Sequence, residues 1–183
     1  LDDEIVSFNE NQKFAKLQTL CDGFVYIDDT VQRSEYSTKI DEVCDFVERA
    51  VNEGEQVLLF YAFLEEKKWL EEKLKKLHIT FTDVKDKRFM EKWNGGEVDV
   101  LLAHPAAASH GINLQYGGRI CVWSTIPFDL EQWMQANARL SRQGQRRNTQ
   151  IHSFIAKNTI EKKKLLSLMG KEKLLKDFID ITK

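Results

Sequence analysis

Apolar residues recur in two alternating patterns from residue 38 onward. Short apolar runs such as Val57–Phe63 are typical of strands that are buried on both faces. Longer segments have helical spacing, as in 38–53, where Ile40, Val43 and Val47 share one side. Strands that alternate with helices through short links predict an α/β domain with a mostly parallel sheet and helices on both faces.

The pattern predicts strands over 57–63, 79–84, 98–103, 119–123 and 150–155, and helices over 38–53, 64–77, 86–94, 130–141 and 159–179. Earlier in the chain, residues 8–20 have helical spacing and 24–27 reads as a strand. We therefore expect residues 1–37 to form a linker or hairpin segment, and 38–183 to form one domain that ends in a long helix. Ligands of parallel sheets bind at the carboxyl ends of strands, which directs attention to the loop 103–113 and the segment before 130–141.

Charge is distributed unevenly along a chain whose net charge is only −2. Residues 1–55 carry 14 acidic and 5 basic side chains, whereas 135–183 carry 12 basic and 4 acidic ones. A basic third of this kind can attract phosphates, although lysine-rich helices are more often solvated faces. No apolar run approaches the roughly 20 residues of a membrane span, so no membrane partner is expected.

The three cysteines are widely spaced and form no CxxC pair, which indicates a reducing compartment and no zinc site. We expect a cytoplasmic protein with no bound metal of its own. The chain begins without Met and with an acidic segment that lacks the features of a secretory signal, so we expect it to be a piece of a longer protein.

Two nucleotide-binding signatures are absent from the sequence. None of the nine glycines belongs to a GxxxxGK[ST] loop, and no apolar strand ends in the Asp-Glu pair that would hold magnesium. The chain by itself is therefore expected not to hydrolyse a nucleotide.

Arginines dominate one short stretch, 135–145, which reads QANARLSRQGQ. In the predicted helix, Arg139 and Arg142 are three residues apart and share one face, with Gln135 one turn earlier. Arginine suits phosphate because its planar fork binds two oxygens and stays charged. For an arbitrary RxxR pair, a solvated helix face is the commoner explanation.

Further motifs favour the phosphate interpretation. The stretch 135–145 is similar to the sixth helicase motif of Swi/Snf-like ATPases, Q-A-x-x-R-x-x-R-x-G-Q. The segment 110–115, HGINLQ, resembles their fifth motif, Val57–Phe63 the strand of their fourth, and Asn158–Glu161 the start of their closing helix. The likeness covers about residues 38–179 and is greatest for phage and prophage members, which implies the cytoplasm of a bacterial or phage-infected cell.

This resemblance implies a fold and a role. The chain would be the second, C-terminal RecA-like lobe of an ATP-driven DNA helicase or translocase, with a three-layer architecture. ATP and magnesium would be held mainly by an N-terminal RecA-like lobe of the same polypeptide. The DNA partner is expected to be duplex.

Residue roles follow from the same resemblance. Arg139 and Arg142 would be arginine fingers that contact the nucleotide phosphates. Gln135, Gly111 and Asn113 would shape the nucleotide side of the lobe. Contacts with nucleic acid are expected from four residues: His104, Ser109, His110 and Arg146.

Two other functions stay open at the level of sequence. The lobe could be a non-catalytic RecA-like module that binds nucleic acid or docks a protein. It could also belong to an RNA-directed helicase, although RNA helicases more often carry a Gly-Arg pair in the sixth motif.

Overall fold

The computed structural model describes residues 10–27, 30–36, 38–108 and 111–181. Its strands are β1 (Phe24–Ile27), β2 (Thr30–Arg33), β3 (Val57–Phe60), β4 (Phe81–Asp83), β5 (Val100–Ala103), β6 (Ile120–Trp123) and β7 (Gln150–Ser153). Its helices are α1 (Glu10–Cys21), α2 (Lys39–Asn52), α3 (Leu64–Lys76), α4 (Phe89–Asn94), α5 (Pro105–Ala108), α6 (Leu130–Asn137) and α7 (Ile160–Ile181).

A five-stranded parallel sheet forms the centre of the molecule, in the order β4-β5-β3-β6-β7. β3 is the central strand, and its Val57 is in register with Val100 of β5 and Ile120 of β6. Helices cover both faces, so the predicted three-layer RecA-like fold is confirmed.

Alternation along the strands divides the core into two layers, because successive side chains point to opposite faces of a sheet. Leu59 packs with α2 and α3 on one face, together with residues such as Val43 and Leu70. Leu58 packs on the other face with Trp93 of α4 and Leu168 of α7. Both faces are buried, which explains why β3 reads as a continuous apolar run.

The predicted helix over 130–141 is wrong at its end, because α6 stops at Asn137. Asn137 accepts a hydrogen bond from Trp123 Nε1 at 2.8 Å, so its side chain is held inward by the sheet. The next backbone bond, from Arg139 N to Ala136 O, already has the shorter spacing of a turn. Arg139 and Arg142 therefore lie beyond the helix and not on one of its faces.

The segment before α2 forms a helix and a two-stranded antiparallel hairpin, β1–β2. Phe24 of β1 is only 2% exposed and belongs to the core layer that contains α2. A boundary near residue 37 stays a prediction, but part of this segment is packed into the same core as the sheet.

A buried ionic cluster, formed by Asp22, Lys39, Glu66, Glu161 and Thr125, joins that segment to the carboxyl ends of the strands. Lys39 Nζ lies 2.5 Å from Asp22 Oδ1 and 2.5 Å from Glu161 Oε1. Thr125, just after β6, places its hydroxyl 3.0 Å from Asp22 Oδ1 and 3.0 Å from Glu66 Oε1. The cluster therefore lies at the carboxyl ends of β3 and β6, the edge at which parallel sheets commonly bind ligands.

Candidate functional site

The arginine loop, residues 138–147, follows α6 and leads to β7. It runs past the amino ends of the strands, because Arg147 Nη1 lies 2.9 Å from Glu55 Oε2, two residues before β3 begins. Gly144 has a φ of 105°, a conformation that glycine adopts without strain. The loop therefore turns sharply just after Arg142.

Arg142 is held by the segment that precedes β6. Its Nη1 donates a hydrogen bond of 2.7 Å to Asn113 Oδ1. The backbone carbonyl of Asn113 in turn accepts a bond of 3.0 Å from Asn94, the last residue of α4. Side chains from two distant motifs thus meet directly, as predicted residues of one site should.

Arg139 lies beside Arg142 but in a different environment. Its residue is only 5% exposed, whereas Arg142 is half-buried. Burial, and secondarily repulsion by the neighbouring Arg142, lower the pKa of Arg139 below its ordinary value. The two neighbouring guanidinium groups both contribute to a local positive potential.

A second set of contacts fixes the segment 113–118 against the arginine loop. Gln145 Nε2 donates to the carbonyls of Gln115 and Gly118, each at 3.2 Å. Trp93 Nε1 donates to the carbonyl of Leu114 at 2.9 Å. The two loops therefore form one rigid surface, held together by Arg142 at one place and Gln145 at another.

The two other residues predicted on the nucleotide side have distinct surroundings. Gly111 is exposed and has a φ of 61°, with open space where a Cβ would stand. Gln135 donates to Glu131 Oε1 at 2.8 Å, one turn earlier on its own helix. Gly111 fits the turn that the sequence predicts, whereas the hydrogen bond of Gln135 to Glu131 stays within α6.

The structure places His104 and Arg146 far apart in the fold. His104 follows the carboxyl end of β5 and packs edge-on against Tyr61, with ring centroids 5.9 Å apart. Arg146 is exposed on the arginine loop, near the amino ends of the strands. Ser109 and His110 lie outside the described residues. Their contacts with nucleic acid stay predictions.

Two residues that hold this surface together, and one that is exposed on it, were not foreseen from the sequence. Gln145 and Trp93 act through backbone carbonyls, and a hydrogen bond to a distant carbonyl leaves no pattern in a sequence. Tyr116 stands on the same surface and is 65% exposed. Gln145 is the last residue of QANARLSRQGQ, and its position in that motif was the feature of the sequence that could have indicated its role.

No group of three or more His, Cys, Asp or Glu side chains within the described ranges is arranged to hold a metal ion. Within the same ranges, no helix is both long enough and apolar enough to cross a membrane.

Comparison with solved structures identifies the fold and its type. The chain superposes on the C-terminal part of the Fun30 ATPase domain with a TM-score of 0.65 and 26% identity, over 71% of this chain and 44% of that one. It also superposes on the Pyrococcus furiosus Hef helicase domain with a TM-score of 0.57 and 17% identity, over 72% and 28% of the two chains. The chain has a RecA-like fold that is similar to this C-terminal lobe of a Swi/Snf-like ATPase.

Sequence relatives agree with this assignment of the lobe. Protein p41 of Acyrthosiphon pisum secondary endosymbiont phage 1 is 32% identical over 164 residues, which cover 86% of the lobe. The ATP-dependent helicase fft3 of Schizosaccharomyces pombe is 26% identical over 173 residues, again 86% of the lobe. The lobe spans 34% of the first relative and 18% of the second. No family model matches it.

Proposed function

We propose that this chain is the second motor lobe of an ATP-dependent DNA helicase or translocase, and that it supplies arginines to ATP bound on an N-terminal RecA-like lobe. The observation that carries the proposal is the pair Arg139 and Arg142, with Arg142 held by Asn113 at 2.7 Å. The names of two relatives, an ATPase domain and an ATP-dependent helicase, support the same reaction class.

The residues of the pair fit phosphate and do not by themselves fit magnesium. Guanidinium groups and the amide of Asn113 offer hydrogen-bond donors for phosphate oxygens, and two positive charges offset the charge of a triphosphate. Magnesium prefers carboxylate and other oxygen ligands, whereas the guanidinium group of Arg142 is itself a cation and offers only hydrogen-bond donors. We therefore assign the metal to the N-terminal lobe and the phosphate contact to this one.

Arg142 would act as the principal finger, since it is the more accessible of the two arginines. When the lobes close, its guanidinium would leave or share Asn113 Oδ1 and donate to phosphate oxygens. Arginine stabilises the charge that spreads over the transferred phosphoryl group in the transition state, an effect worth roughly 10³–10⁵ in rate. Arg139, buried behind it, would orient Arg142 and strengthen the local potential.

One continuous segment would couple the nucleotide to DNA. It begins at His104 at the end of β5 and reaches Asn113, which holds Arg142. We propose that His104, Ser109 and His110 contact DNA phosphates from this segment, with Arg146 as a further phosphate contact. A change at Arg142 on ATP binding or hydrolysis would then be felt directly along the DNA-contacting segment.

The test is ATP hydrolysis by the full-length gene product, measured without nucleic acid and with duplex DNA, single-stranded DNA or RNA. This chain alone serves as the matched control. We expect ATP hydrolysis by the full-length protein, stimulated most by duplex DNA, and none by the chain alone.

Other outcomes would replace the proposal. Stimulation by RNA and not by duplex DNA would assign the motor to RNA. A full-length protein that carries a phosphate loop, binds nucleic acid and hydrolyses no ATP would make this lobe a binding or docking module.

A further inference from the structure

Tyr116 is an aromatic side chain presented to solvent on the surface that carries Arg142. Its residue is 65% exposed, although Leu114 and Gln115 just before it are buried. A single exposed tyrosine is ordinary on a protein surface. What distinguishes Tyr116 is the rigidity of the backbone on both sides of it.

The backbone around Tyr116 is fixed at several successive residues. The carbonyl of Leu114 accepts from Trp93, and those of Gln115 and Gly118 accept from Gln145. Gly117 lies so close to the Trp93 indole that an added Cβ would stand 2.4 Å from Nε1. The turn is pressed onto the body of the lobe, while the tyrosine ring points away from it.

Gly144 of the arginine loop lies against the ring. A Cβ built at Gly144 would stand 3.1 Å from Tyr116 Cε1, so the ring rests close to a bare backbone. The φ of 105° at this position also favours glycine. The ring is therefore supported on one side by the arginine loop and largely open elsewhere.

A cavity of about 560 Å³ opens at the ring and is lined, among others, by Tyr116, Gly117, Gly144 and Arg146. This volume is within the range of small-ligand sites, roughly 300–1,000 Å³. Tyr116 is three residues from Asn113, which the chain can span in at most about 10 Å. Gly144 is two residues from Arg142. The cavity is thus lined by residues that lie three positions from Asn113 and two positions from Arg142 along the two loops.

We infer that Tyr116 stacks on the base of the nucleotide whose phosphates meet Arg142, so that this lobe contacts both ends of ATP. The inference rests on the proposed function. A nucleotide has two recognisable parts, a flat aromatic base and an anionic phosphate chain. An exposed aromatic ring near an arginine pair complements both parts. Stacking recognises any base through its π-face, so Tyr116 adds affinity for nucleotides without selecting adenine over guanine.

The experiment uses the full-length protein with saturating duplex DNA, in four forms: unmodified, Tyr116→Ala, Tyr116→Phe and Tyr36→Ala. Tyr36 is the matched control, since it is 84% exposed and lies before α2, far from the arginine loop in sequence. KM and kcat are measured for ATP and GTP. Inhibition by ADP is compared with inhibition by inorganic tripolyphosphate, which has phosphates but no base.

We expect Tyr116→Ala to raise KM for both nucleotides by roughly 5- to 20-fold, as loss of base–aromatic stacking should. Inhibition by ADP should weaken to a similar extent, whereas inhibition by tripolyphosphate and kcat should stay unchanged. Tyr116→Phe keeps the ring and should behave like the unmodified protein, as should Tyr36→Ala.

Three results would overturn the inference. An unchanged KM in Tyr116→Ala would remove the stacking role while leaving the motor intact. Equal weakening of tripolyphosphate inhibition would show that the substitution disturbs Arg142. A higher DNA concentration for half-maximal stimulation, with KM unchanged, would assign Tyr116 to DNA. Absence of ATP hydrolysis in the unmodified protein would instead refute the proposed function, and the inference with it.

Discussion

Two regions of this lobe hold charged side chains at close quarters, and they are built in opposite ways. In the buried ionic cluster, Lys39 lies between Asp22 and Glu161, and its Nζ is 2.5 Å from a carboxyl oxygen of each. In the arginine loop, Arg142 repels Arg139 and donates a hydrogen bond to the neutral side-chain oxygen of Asn113. The first region places a cation between acidic groups, whereas the second places two cations beside each other.

We interpret the buried cluster as a structural feature and the arginine loop as the functional one. The cluster stands at the carboxyl ends of β3 and β6, the place where a parallel sheet would normally bind a ligand. There it holds α1, α2, α3 and α7 to the sheet through single side chains. The arginine loop stands near the amino ends of the strands, where Arg142 is half-buried and Arg139 is buried. We expect phosphate binding at Arg142, and a contribution to stability from the buried cluster.

The largest effect is expected from Arg142→Ala in the full-length protein. Loss of the finger should lower kcat by roughly 10³-fold or more, since that is the scale of measured arginine fingers. Unfolding should change little, because the bond from Arg142 to Asn113 is partly exposed. Arg142→Lys keeps the charge but loses the planar fork, so only partial activity should return.

Arg88→Ala is the control for this prediction, because Arg88 pairs with Glu91 on the exposed side of α4. Steady-state ATPase assays compare the variants. If the kcat of Arg142→Ala were close to that of Arg88→Ala, Arg142 would not be an arginine finger.

Substitutions in the buried cluster should lower the stability of the fold and leave the catalytic groups in place. Glu161→Ala leaves Lys39 with one carboxylate fewer and frees the backbone amide of Ala156, which now donates to Glu161 Oε2 at 2.7 Å. Breaking a buried pair of this kind costs roughly 3–5 kcal/mol. Urea denaturation should show this loss in the free energy of unfolding.

The exposed carboxylate Glu91 provides the control for the cluster. Glu91→Ala should cost less than about 1 kcal/mol, as expected for a surface ion pair. Equal losses in Glu161→Ala and Glu91→Ala would show that the cluster does not hold the helices to the sheet.

Stability should also depend on pH through Asp22. Burial, followed by repulsion from Glu66, raises the pKa of Asp22 to about 8, and Lys39 offsets this only in part. The geometry agrees with a protonated carboxyl group. The Thr125 hydroxyl lies 3.0 Å from an oxygen of Asp22 and 3.0 Å from an oxygen of Glu66, but it can donate only one hydrogen. The second of these contacts therefore needs a proton on a carboxyl group. The remaining carboxylate near Lys39 is Glu161.

The sign of this dependence follows from proton uptake. Between about pH 4 and 8 the folded protein keeps the Asp22 proton and the unfolded chain does not. Raising the pH through this window should therefore lower the free energy of unfolding, by on the order of 1 kcal/mol per pH unit. Asp22→Asn cannot ionise, so its stability should change much less between pH 5 and 8. If the free energy of unfolding changed equally with pH in the unmodified protein and in Asp22→Asn, Asp22 would not be protonated in the folded state.

The smallest effect is expected at Arg146. If it contacts one DNA phosphate, Arg146→Ala should weaken DNA binding several-fold and reduce the slope of log K against log salt by roughly one. Arg147 is the control, because Glu55 already holds its guanidinium. Fluorescence anisotropy at several salt concentrations measures both. Identical slopes for the two variants would remove Arg146 from the DNA surface.

The sequence alone determined the layered fold and the pairing of motifs. Apolar runs at 57–63 and 98–103 locate strands that need helices on both faces, because both of their faces must be kept from water. QANARLSRQGQ and HGINLQ indicated two parts of one phosphate site, and the direct bond between Arg142 and Asn113 agrees with that expectation.

Only the tertiary structure decided where those parts stand. α6 ends at Asn137, whose side chain accepts a hydrogen bond from Trp123 of a distant strand, and Arg139 and Arg142 lie beyond the helix that their spacing predicts. The carboxyl ends of β3 and β6 carry the buried cluster of Asp22, Lys39 and Thr125, which lie far apart in the sequence. Local patterns specify secondary structure, but hydrogen bonds and ion pairs between distant residues decide which surface stays open for a ligand.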